Sequence, residues 1–186
     1  MSGSFNPSNI EREVGGGTGI PPLEKWDPDF CGDIDMRIAR DGQWYYEGSP
    51  IGREAMVRMF SRVLWMEGDK YFLKTPVEKV GIQVEDAPFQ VVQVEHGVGE
   101  KGPEMVFTTS TGDRVRADAE HPIRVETDPK TKEPRPYLMI RFGMEGRIGR
   151  NLFYQLVEFA RMIEHKHNTE LVVDSAGETF SLGTLL

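Results

Sequence analysis

Apolar and polar residues alternate from Asp33 to Ile38: Ile34, Met36 and Ile38 are separated by Asp35 and Arg37. A period of two predicts a strand with one buried face. Asp41-Gly42 is a tight-turn pair, so Gln43–Glu47 reads as the returning strand of a hairpin. The period then changes. Ala55, Met56, Met59, Phe60 and Val63 recur at helical spacing and predict an amphipathic helix running to about Glu67. Ser49 offers an N-cap hydroxyl, Pro50 suits the first helical position, and Gly68 is a C-terminal stop. "KYFLKTP", "KVGIQVE" and "PFQVVQVE" follow as three strands separated by Pro and Gly.

After a glycine-rich break, His96–Pro103, the strand patterns resume in "EMVFTTS", "RVRA", "PIRVETD" and "RPYLMIRF". A second helix is predicted from about Arg147 to His165, with Leu152, Phe153, Leu156, Val157 and Ala160 on one face. "TELVVDS", a turn at Ala176-Gly177, and "ETFSLG" make a final hairpin.

The two halves align on each other. "EGSPIGREAMVRMFSRV" meets "EGRIGRNLFYQLVEFA"; each carries Glu-Gly, then Ile-Gly-Arg, then an amphipathic helix. Arg53 and Arg150 lie 97 residues apart, and the same offset carries each apolar position of the first helix onto an apolar position of the second. The strands before and after match in type. The pattern predicts an α+β fold of duplicated strand–strand–helix–strand–strand units, with mostly antiparallel sheets and one helix packed on each. Residues 1–22, rich in Ser, Asn, Gly and Pro, are expected to form a mobile tail. The first repeat domain is then expected over 23–96 and the second over 97–186.

Composition narrows the function classes. The chain has 186 residues, 38% apolar and 28% charged, enough to bury roughly 70% of its unfolded surface. A net charge of −8 argues against a nucleic-acid binder, which needs a basic face. No apolar run approaches the roughly 20 residues of a membrane span, and the N-terminus lacks the pattern of a secretion signal. One cysteine, Cys31, permits no internal disulfide, so a cytoplasmic location is expected.

The pieces "CGDIDMRI", "YEGSPIGR", "YFLKTPVEKVGI" and "VEDAPF" closely resemble an uncharacterised bacterial family, domain of unknown function 1285. The resemblance continues more weakly through "PYLMIRFGMEGRIGRNLFYQLVE" and so covers nearly everything after the tail. It implies a compact two-part α+β protein with repeated motifs, without an established activity and with a loosely suggested signalling role. The second half departs from the family pattern at Asn151, which follows the arginine where a proline is expected.

Candidate chemistry is sparse. "GVGEKG" fits a dinucleotide-binding spacing, but Pro103 and a strand follow it where a helix is needed, so it reads as a flexible connection. "GGGTG", Gly15–Gly19, reads as a linker. His165 and His167 do not share a helix face, and no zinc spacing is present, so neither a metal nor a cofactor is expected. Cys31 reads as a small buried thiol.

Asp33 and Asp35 are different. They share one strand face, roughly 7 Å apart, and could act as acid and base or hold a hard cation. The plainer account is a solvated face or partners for arginines. Arg53 and Arg150 each follow a glycine, Gly52 and Gly149, at a helix start where the dipole disfavours positive charge. A partner is therefore expected. It is either an internal carboxylate (Asp33, Asp35 or Glu47 for Arg53, Glu145 for Arg150) or an anionic ligand held by arginine and helix N–H groups. With no catalytic constellation, the sequence points to a non-catalytic regulatory or ligand-binding module. The alternatives are an enzyme acting on an anionic small molecule through Asp33, Asp35 and Arg53, or a scaffold for a protein partner.

Overall fold

The computed structural model of the chain describes residues 5–15, 17 and 19–185. It divides into two compact units, Met1–Ala87 and Pro88–Leu186. The fold is α+β and dominated by sheet, in a duplicated two-domain arrangement. Strands pair antiparallel with two exceptions among the described pairs, one parallel pair in each unit.

In the first unit the helix α1 (Pro7–Val14) precedes β1 (Phe30–Ile38), β2 (Trp44–Tyr46), β3 (Ser49–Pro50), α2 (Glu54–Arg62), β4 (Leu64–Glu67), β5 (Lys70–Lys74) and β6 (Lys79–Val84). These strands make one six-stranded sheet, ordered β3-β2-β1-β6-β5-β4. Met36 and Ile38 of β1, Leu73 of β5, Val80 of β6, and Phe60 and Val63 of the helical segment are all buried. Phe60 stacks on Trp44 with ring centroids 6.1 Å apart.

The expected tail needs correction over its described part. Asn6 caps α1 by accepting from the Ser8 N–H at 3.0 Å, Pro7 opens the helix, and Ile10 is buried. Arg62 fastens the following chain by donating to the carbonyls of Gly15 at 3.1 Å and Gly19 at 2.7 Å. The rest of that expectation, residues 1–4, 16 and 18, lies outside the described residues, and so does part of the expected Gly15–Gly19 linker.

The second unit holds β7 (Phe89–Gly99), β8 (Gly102–Thr109), β9 (Arg114–Arg116), β10 (Ile123–Thr127), β11 (Pro134–Arg141), β12 (Met144–Ile148), α3 (Arg150–Glu158), β13 (Arg161–Glu164), β14 (Thr169–Ser175) and β15 (Glu178–Leu185). They form a six-stranded sheet, β10-β11-β12-β7-β8-β9, and a three-stranded sheet, β13-β14-β15. Ser175 ties the two sheets: its hydroxyl donates to the Ala117 carbonyl at 2.7 Å and accepts from the Met105 N–H at 2.9 Å.

The expected break at His96–Pro103 is a continuous hairpin. β7 and β8 pair as far as Gly99 and Gly102, with Glu100-Lys101 as the turn. The boundary expected after residue 96 therefore falls inside a strand, and the observed one lies between Ala87 and Pro88. A Cβ on Gly99 would meet only the tip of the Glu104 side chain, which can swing aside.

Both helices are shorter than their patterns predict. Ser49 and Pro50 form a strand, not a helix cap, and α2 starts after Arg53. "LWME" is β4, since Gly68, at φ 63, closes a two-residue hairpin in which Glu67 faces Lys70. α3 likewise ends at Glu158, and β13 occupies the span expected as its last turns. Ala55 and Val157, expected in the core, are exposed. Cys31 is exposed rather than buried.

Candidate functional site

The structure does not unite the residues singled out by sequence. Asp33 and Asp35 are exposed on β1. The Asp33 carboxylate lies over Gly81 of β6, where a Cβ would overlap it. Arg53 is the N-cap residue of α2 rather than part of its first turn, and Arg150 is the first residue of α3. Among the described residues no ion pair or side-chain hydrogen bond joins Arg53 to Asp33, Asp35 or Glu47. Arg150 has an internal carboxylate, but it is Glu133 at 3.0 Å and not Glu145, which binds Arg124 at 2.8 Å. A Cβ on Gly52 or Gly149 would meet nothing within 4 Å, so no close approach demands a glycine at either helix start.

A different group in the first unit stands out. Trp65 of β4 faces Phe72 of β5, Phe72 faces Gly81, and Lys74 faces Lys79 of β6. Strand alternation puts these side chains on one face, while Leu64, Leu73 and Val80 point to the core from the other. Lys74 is only 5% exposed. Its ammonium sits 3.9 Å from the centre of the Trp65 ring. Among the described residues no carboxylate lies within ion-pair distance of it.

The carboxylate that acts most on Lys74, Glu67, is engaged elsewhere. Glu67 accepts from the Lys79 amine at 3.0 and 3.2 Å and from the Trp65 indole N–H at 3.1 Å. The Lys79 bond chiefly holds Glu67 below the usual carboxylate range. Burial pushes the Lys74 amine below the ordinary lysine value, with a smaller push from Lys79. Glu67, Asp27 and Glu24 oppose that shift electrostatically. Phe30 closes the aromatic side of the face, edge-on to Phe72 with centroids 5.9 Å apart. Beyond β5 the Thr75–Glu78 turn and α1 flank an open pocket of about 130 Å³ lined by Ile10, Arg12, Glu13 and Glu78 among others.

The second unit buries its cation differently. Arg141 donates to Asp113 at 3.0 Å, both side chains being about one-tenth exposed, at 12% and 11%. The Thr109 and Thr111 hydroxyls complete the carboxylate's shell at 3.1 and 3.2 Å, and the guanidinium lies 4.7 Å from the Phe89 ring centre. Here the buried cation has its own carboxylate, although the Arg141 Nη1 is buried without a hydrogen-bond partner among the described residues. Among the described residues no group of three His, Cys, Asp or Glu side chains is placed to hold a metal ion. No helix among them is long and apolar enough to cross a membrane.

Sequence reasoning missed Lys74. The signal was the run "KYFLK", which puts Lys70, Phe72 and Lys74 on one face. Alternation cannot tell whether that face is covered.

Comparison with known proteins gives a consistent picture. Residues 21–87 match the family model described as Domain of unknown function (DUF1285), N-terminal domain. Residues 88–182 match the one described as Protein of unknown function (DUF1285), C-terminal domain. The chain is similar to the crystal structure of a DUF1285 family protein from Silicibacter pomeroyi DSS-3, with 43% identity and a TM-score of 0.87 over 98% of this chain and 97% of that one. It is also similar to a DUF1285 family protein from Shewanella baltica OS155, with 29% identity and a TM-score of 0.53 over 66% of this chain and 90% of that one. Among curated proteins none matches.

Proposed function

The chain belongs to the DUF1285 family, and we propose that it is a non-catalytic module that binds a small anionic molecule in its first unit, with Lys74 as the anchoring cation. One observation carries the reading: Lys74 is 5% exposed and has no carboxylate within ion-pair distance among the described residues. A buried charge is normally paired, and an unpaired one is costly. Lys79, on the same face, shows the paired alternative, since its side chain is 14% exposed and held by Glu67. An anion seated against Lys74 supplies what the fold leaves out. In this reading each repeat is a sheet bearing one amphipathic helix, and ligand occupancy is a regulatory signal of the kind used in signal transduction.

Calorimetric titration of the full chain with inorganic phosphate and with acetate tests this. Saturable binding is expected for the wild type, weakened at least about tenfold in Lys74→Met, a change of roughly 1.4 kcal/mol. Arg53→Ala leaves it unchanged. Equal binding by wild type and Lys74→Met, or loss in Arg53→Ala alone, removes Lys74 as the anchor.

A further inference from the structure

We infer that Lys74 is a nucleophilic amine that captures the carbonyl group of a small oxo acid as an imine. This rests on the reading above, in which a small anion binds at Lys74, and it names the ligand class. A lysine kept only for structure keeps a counter-ion, as Lys79 keeps Glu67 at 3.0 Å. Lys74 is instead held against the face of Trp65, and Glu67 of the neighbouring strand pair is occupied by Lys79 and the Trp65 indole. The groups acting on the amine are Glu67 from β4, Lys79 from β6, and Glu24 and Asp27 from the segment before β1. Burial and Lys79 favour its neutral form, the one with a free electron pair.

The chemistry balances without another reagent. The nitrogen lone pair attacks the carbonyl carbon, the carbonyl oxygen takes up a proton, and a carbinolamine forms. The carbon–oxygen bond then breaks, water leaves, and the nitrogen loses its proton to give the C=N bond. Neither partner is oxidised or reduced. Lys79 stands directly across from Lys74 in the antiparallel register. Facing side chains start roughly 5 Å apart, so an acid group on the captured molecule shares the second ammonium with Glu67. An oxo acid therefore suits this face better than a neutral aldehyde.

Glyoxylate and glycolate form the matched probe pair, since they differ in carbonyl against hydroxyl. The full-length protein is incubated with each at neutral pH with cyanoborohydride, then digested and mapped by mass spectrometry, while thermal melts follow binding. The expected result is carboxymethylation by glyoxylate at Lys74 several-fold faster than at the exposed lysines, because the lowered pKa leaves more of this amine in its free-base form at neutral pH. The rate at Lys74 levels off below the pH at which the exposed lysines do. Lys74→Arg abolishes modification at that position, and Lys74→Met does the same if the arginine variant folds poorly.

Equal stabilisation by glyoxylate and glycolate with Lys74 unmodified overturns imine capture and leaves the anion site standing. No stabilisation by either, with modification spread according to exposure, overturns both.

Discussion

In the first copy of the repeat the chain turns at Glu47-Gly48, with φ values of 50 and 82, and passes through two strand residues before Arg53. In the second it turns at Phe142-Gly143, with φ values of 52 and 79, and passes through the five residues of β12 before Arg150. Tyr46 faces Ser49 across the first turn and Arg141 faces Met144 across the second, so the two turns are equivalent. The stretch from turn to arginine, Gly48 to Arg53 against Gly143 to Arg150, is two residues longer in the second copy. An insertion of two preserves strand alternation, so Ile-Gly-Arg keeps its facing.

The longer strand changes the topology. β3 has two residues, one of them Pro50 with no N–H to donate, and it ends its sheet. β12 has the length to pair, and it takes β7 alongside in parallel. The meander after α2 therefore returns to β1 in the first unit, while the one after α3 forms its own sheet. A duplicated unit fixes its elements, but one short edge decides which strand lies beside which.

The buried cations offer the strongest way to sharpen this contrast. Arg141→Met leaves Asp113 without its guanidinium and is expected to destabilise the protein by about 3–5 kcal/mol. Lys74→Met removes a buried charge that has no carboxylate within ion-pair distance among the described residues and is expected to stabilise it by about 1 kcal/mol at neutral pH. The pH dependence follows from the lowered pKa of Lys74. Between its folded value and the ordinary lysine value of about 10.4, the unfolded chain holds more protons, so wild-type stability rises with pH. The advantage of Lys74→Met is thus full below the folded pKa and vanishes above the ordinary one. Urea denaturation across the alkaline range measures it; a constant advantage, or a loss at neutral pH, removes the uncompensated-charge account.

A middle-sized effect separates the two Glu-Gly dipeptides that align in sequence. Gly48 occupies a left-handed turn with open space around it, whereas Gly146 lies inside β12, where a Cβ would come within 2.9 Å of Val91. Gly48→Asn is expected to cost a few tenths of a kcal/mol, and Gly146→Asn about 2 kcal/mol, because asparagine tolerates left-handed backbone but not overpacking. Similar melting temperatures for the two variants would show the dipeptides to be equivalent after all.

The smallest effect concerns the helix-start arginines. Arg150 and Glu133 are 66% and 58% exposed, so a double-mutant cycle is expected to give about 0.5 kcal/mol or less, falling with salt. The same cycle between Arg53 and Glu47 is expected to give zero. A coupling for Arg53 as large as that for Arg150 would erase the difference between the two starts.

Much of this was legible in residue order. Alternation in "IDMRI" and "TELVVD" marked strands that exist, and Ala176-Gly177 marked a hairpin turn whose residues both have positive φ, 52 and 82. The offset of 97 residues that aligned the helices also carries β4 onto β13. The helix ends were not legible, since Leu64–Glu67 and Arg161–Glu164 continue an apolar pattern while leaving the helix to pair with β5 and β14. The candidate site was hidden for a related reason: the partner of Arg150 lies in the β10–β11 loop, and Lys74 looks like any strand lysine until its face is covered.

By itself the sequence determined the strands, turns and duplicated plan, because side-chain periodicity and left-handed turn residues act over a few neighbouring positions. Only the tertiary structure decided where the helices stop, which edge accepts β7, and which lysine loses its water without gaining a carboxylate. Those outcomes depend on pairing and burial between segments far apart in the chain, where a single buried charge outweighs local preference.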